Sequence, residues 1–111
     1  MLSLLLLAAL PQETPSFERM LLCQSYHEIW QWDEHNAGRP VPEDGAWYRA
    51  FRDRLYAAAK AKGIDRYRVA EMGNAQVNTL RPKLTPEQNA DWKKCQAETG
   101  WAADPGGKTI E

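Results

Sequence analysis

The side chains able to do chemistry gather on one stretch of the chain, where His27, Glu28, Asp33, Glu34 and His35 follow Cys23, with Cys95 far beyond. Imidazoles beside carboxylates could hold a divalent ion or move a proton. The spacing argues against the ion: eight positions in a helical segment separate His27 and His35 by a rise of about 12 Å. Zinc donors sit about 2.0 to 2.1 Å from the metal, and the H-E-x-x-H spacing that sets two imidazoles on one helix face is not met. Acid/base work by Asp33 or Glu34 needs a cleft that perturbs a pKa and seats a substrate, and the sequence displays none. Ser16 and Ser25 belong to no nucleophile motif, and a glycine-rich phosphate loop is absent. The chain is therefore expected to be no enzyme and to carry neither metal nor cofactor; a small hydrolase or metal protein using Glu28, Glu34 or His35 is the alternative that remains.

Cys23 and Cys95 are the only two cysteines and neither is part of a C-x-x-C pair, which removes the usual metal-cage and haem-attachment patterns. In an oxidising compartment they are expected to pair. Closing so long a loop would stabilise a small domain by about 4 kcal/mol in the chain-entropy model.

Aromatic placement is the other chemical signal. Trp30 and Trp32 are two positions apart on a helical pattern, so their side chains point about 160° away from each other. With Leu22, Cys23, Tyr26, Ile29 and Trp30 on the core face, Trp32 joins Phe17 and Leu21 on the opposite side. A monomer rarely leaves such apolar surface bare. Phe17, Leu21 and Trp32 are therefore the expected binding surface for another protein, with Trp101 and the tail as the competing cover.

The elements that must position these groups are all helical. Thr14, Pro15 and Ser16 supply a capping hydroxyl and a first-turn proline for a helix running to about Asn36 or Ala37. Gly38, Pro40, Pro42 and Gly45 form a loop that ends in Glu43 and Asp44, acidic residues placed to cap a second helix. That helix carries Trp47, Phe51, Leu55 and Ala58 on one side and Arg49, Asp53 and Lys60 on the other, and Gly63 ends it. Asp65 caps a third helix through Tyr67, Val69 and Met72, with Gly73 and Asn74 as a break before Val77 and Leu80. Thr85 to Gln88 reads as a capping box that opens a fourth, with Trp92 and Cys95 on its inner face and Gly100 as its stop. The expected architecture is an all-α bundle of three to four helices over residues 14–101, stapled from first helix to last by Cys23 and Cys95, with residues 102–111 as a loose tail.

Residues 1–10 are apolar apart from Ser3. A run of this length rises about 14 Å as a helix, roughly half the hydrocarbon core, so it is too short for a stable span. It is expected to be a signal peptide cut near Ala8 to Leu10, although the usual basic flank is missing. Periplasmic or secreted localisation follows.

Formal net charge of −1 and a pI near 6.1 give no pull toward nucleic acid. Locally, Arg49 to Arg68 holds seven basic residues against Asp53 and Asp65. The acidic segment before it can balance them within the chain; a patch for anionic lipid or an acidic partner is the alternative.

Leu84, Thr85, Pro86, Glu87 and Gln88 form a string that resembles the LTxxQ motif of the Spy and CpxP family of periplasmic helical chaperones and stress regulators. The resemblance covers five residues, and this chain has one such string where the family typically has two. What it implies is a chaperone-like or envelope-stress protein that shields unfolded clients, the alternative to a partner-binding module of the envelope or extracellular space.

Overall fold

The computed structural model describes residues 15–39 and 46–100. The described residues form four helices: α1 (Phe17–Asn36), α2 (Ala46–Ala61), α3 (Arg66–Leu80) and α4 (Pro86–Thr99). No strand occurs among the described residues, so the molecule is the all-α bundle expected, with four members.

Local chemistry explains where the helices begin. Ser16 is extended (φ −66°, ψ 164°) and its hydroxyl accepts from the Arg19 N–H at 3.1 Å, satisfying one of the orphan donors of the first turn of α1. Pro15 stands ahead of that cap, not inside the first turn. Asp65 does the same for α3, accepting from the Arg68 N–H at 2.8 Å. On α4 both arms of the capping box close: the Gln88 N–H donates to the Thr85 hydroxyl at 3.1 Å, and the Thr85 N–H donates to the Gln88 side chain at 2.9 Å. The loop residues Glu43 and Asp44 lie outside the described residues.

The end of α2 is a left-handed glycine turn. Gly63 takes φ +77°, its N–H bonds to the Lys60 carbonyl and the Ile64 N–H to that of Ala59, each at 2.9 Å, which satisfies carbonyls the helix leaves unpaired. Ile64 then tucks against the core. α3 runs unbroken through Gly73 and Asn74 to Leu80, contrary to the expected break. One glycine in a helix costs only about 1 kcal/mol relative to alanine, which the packing of Val69, Val77 and Leu80 on either side readily outweighs.

α1 is the hub. It packs against all three other helices. Contacts fix the directions: Arg19 meets Glu98, Cys23 meets Cys95 and Tyr26 meets Asp91, so α4 is antiparallel to α1. Lys62 meets Glu18 and Tyr48 meets Gln24, which makes α2 antiparallel as well. Ser25 meets Gln76 and Trp32 meets Arg81, further along both helices, with Gly73 beside Leu21, so α3 runs parallel to α1.

Between the helices lies one core in which Met20, Ile29, Phe51, Leu55, Val77, Trp92 and Cys95 are among the buried residues. Cys23 and Cys95 are joined as a disulfide inside it, Cα atoms 5.5 Å apart, tying α1 to α4 as expected. On α2 the inward side is Phe51, Leu55 and Ala59, with Ala58 half-buried; the side chain of Trp47 lies outside the described residues.

Candidate functional site

The three residues expected to form one binding surface separate in the structure. Phe17 and Leu21 are core residues, 3% and 6% exposed, while Trp32 is 39% exposed. The correction has a simple cause. A helix with one neighbour buries one stripe, but α1 packs against three, so Phe17 and Leu21 are buried as well, Leu21 beside Gly73 of α3. Leu21, Ser25 and Trp32 all line this α1–α3 seam. Leu21 lies beside Gly73, the Ser25 hydroxyl donates to the Gln76 side-chain oxygen at 2.9 Å, and Trp32 meets Arg81 where α3 ends.

At that end of the seam the Arg81 guanidinium carbon sits 4.6 Å from the centre of the Trp32 ring. The pair is held from both sides. Trp32 is carried by the last turns of α1, and Arg81 is the C-cap of α3, extended (φ −67°, ψ 154°) with its N–H on the Val77 carbonyl at 3.1 Å. Arg81 is not among the residues expected from the sequence to lie beside Trp32. Its signal was present only as a cation at the end of a helix, and the side chain it covers is far away in sequence.

His27, with Cys23, Tyr26 and Ile29, faces the core and is 6% exposed. Its ring stacks on Tyr48 at 5.1 Å and on Trp30 at 6.0 Å, and Trp92 meets it edge-on at 5.9 Å. Burial in this aromatic box pushes the imidazole pKa down to about 4, because the charged form would lose its water. His35 is exposed and Glu28 half-buried. Asp33 and Glu34 are bridged by Arg39, whose guanidinium is held charged chiefly by its hydrogen bond to Glu34. Among the described residues no group of three or more His, Cys, Asp and Glu side chains is brought together around a common point where a metal ion could sit.

Four of the seven basic residues of the Arg49 to Arg68 stretch are engaged within the chain. Lys62 pairs with Glu18 at 3.1 Å and Arg68 with Glu71 at 3.4 Å, while Arg52 and Arg66 lie over the rings of Tyr48 and Tyr56. The string from Leu84 to Gln88 works as a helix start, its hydroxyl and amide spent on the capping box and Leu84 buried at 6%.

No family model, curated protein or solved structure matches the chain. The disulfide fits an oxidising, extracytoplasmic compartment, and no described helix is long and apolar enough to cross a membrane. Residues 1–10, Trp101 and the tail over 102–111 lie outside the described residues.

Proposed function

We propose that this chain is an exported, disulfide-clamped helical protein of the periplasm or extracellular space that works without catalysis, by binding another protein through the Trp32 end of the α1–α3 seam. The observation that carries the reading is the exposure of Trp32 at 39%, with Arg81 spread over one face of its ring. Tryptophan and arginine are the residue types that most often anchor protein interfaces, since each offers a large, stiff contact area with polar edges. Tyr67, more exposed still, stands apart from this pair in the first turn of α3. Export is supported by the leucine-rich run at residues 1–10 and by the buried disulfide.

The test is Trp32→Ala. It should leave the helical circular dichroism signal and melting behaviour nearly intact while abolishing capture of a partner from envelope extract. Equal capture by the mutant rejects the site.

A further inference from the structure

Resting on that reading, we infer that the Trp32–Arg81 pair receives a carboxylate: an Asp or Glu side chain next to an apolar residue in a peptide segment of the partner. A guanidinium lying over a ring makes its cation–π contact through part of its surface and can still present N–H groups to a second partner. Those N–H groups form the fork that matches a carboxylate through two parallel hydrogen bonds. Three other arginines have such partners within the chain, Arg19 on Asp91 and Glu98, Arg39 on Glu34 and Asp33, and Arg68 on Glu71, while Arg49, Arg52, Arg54 and Arg66 have none among the described residues. Among the described residues no such partner lies within 4.0 Å of Arg81. Arg52 and Arg66 also cover rings, but Tyr48 and Tyr56 are packed against the core, whereas Trp32 is open enough for one ligand to touch ring and guanidinium together.

The site is also small and held in place. The Arg81 backbone is pinned to Val77, and exposed Lys83 is a second cation two residues on, next in sequence to buried Leu84. Its charge is local, two cations on a chain that carries −1 overall. A contact that needs direct forked geometry and an adjoining apolar surface suits an acidic–apolar peptide.

A library of random short peptides displayed against the oxidised full chain tests this, with the enriched peptides then synthesised and titrated by fluorescence anisotropy. The expected result is enrichment of Asp or Glu beside Leu, Ile or Phe. Replacing that acid by its amide should weaken binding about tenfold, Arg81→Gln should lose the same factor and no longer distinguish acid from amide, and Trp32→Ala should lose at least as much. Unchanged circular dichroism and melting of both variants show that they fold. Enriched peptides with no acidic preference that still depend on Trp32 would overturn the carboxylate while sparing the protein-binding reading. Peptides indifferent to both substitutions, or none enriched, would overturn both. Binding instead to phosphatidylglycerol vesicles, or self-association lost in Trp32→Ala, would replace the peptide by a membrane or by a second copy.

Discussion

Arg19 on α1 and Asp91 on α4 are joined by two parallel hydrogen bonds, Nη1 to Oδ2 at 2.9 Å and Nη2 to Oδ1 at 3.0 Å. Each residue stands four positions before the cysteine of its own helix, so the covalent and ionic ties act on the same helix pair. Glu98 takes the remaining edge of the guanidinium from Nε at 2.9 Å, and the Tyr26 hydroxyl donates to Asp91 at 2.8 Å. Arg19, its carboxylates and Tyr26 thus form one network rather than a lone surface pair.

Arg19→Met keeps much of the apolar stem and removes the fork. With both partners partly exposed, water screens the pair, and the loss should be about 1 to 2 kcal/mol, read as a lower urea midpoint at pH 7. The hydrogen bonds from Arg19 hold Asp91 below the usual carboxylate range. A depressed pKa contributes stability that is present above the ordinary value and lost as pH falls through the lowered one, so the difference between mutant and wild type should shrink in strong acid.

His27 sets a second, separate pH dependence. Its folded pKa near 4 lies below the ordinary 6.5, so the neutral form is favoured by folding. Stability from this residue is complete above pH 6.5 and is lost as pH falls toward 4, by about 3 kcal/mol across the whole interval. Urea midpoints measured from pH 7 to pH 4 should fall for the wild type and be flatter for His27→Phe, which keeps a ring in the aromatic box without the titration.

The disulfide closes a long loop, its cysteines 72 positions apart, and both are 2% exposed or less. Reduced protein should be less stable by about 4 kcal/mol in urea unfolding with and without reductant. Because the sulfurs are buried, reduction under native conditions should be slow and should follow the rate of opening.

Gly73 offers a gain. A methyl built there would lie 3.9 Å from Leu21 Cδ1, an ordinary contact, and the position is inside α3 with no turn requiring glycine. Gly73→Ala should raise stability by about 0.5 to 1 kcal/mol. On the other side of the same seam, Leu21→Ala should cost about 2 to 5 kcal/mol by leaving a cavity.

The helix starts were legible from the sequence because they are made by near neighbours: Ser16, Asp65 and Thr85 each bond a donor three residues on. The disulfide was legible because two cysteines allow one pairing. What the sequence did not reveal depends on how many helices touch α1. A helical wheel sorts faces but cannot count neighbours, so it puts Phe17 and Leu21 on the surface although both are buried, and it suggests a break at Gly73 although Val77 and Leu80 hold the helix across it. Trp32 was recognisable from its angle to Trp30; Arg81 was not, because its partner is set by the end of the α1–α3 seam.

The compartment is the claim on which the proposed partners rest, and intact mass of the protein recovered from its native host tests it most directly. A chain that has lost its leucine-rich first residues and is lighter by two hydrogens than its reduced form is the predicted result. Native protein that keeps those residues and carries both Cys23 and Cys95 as thiols would contradict it.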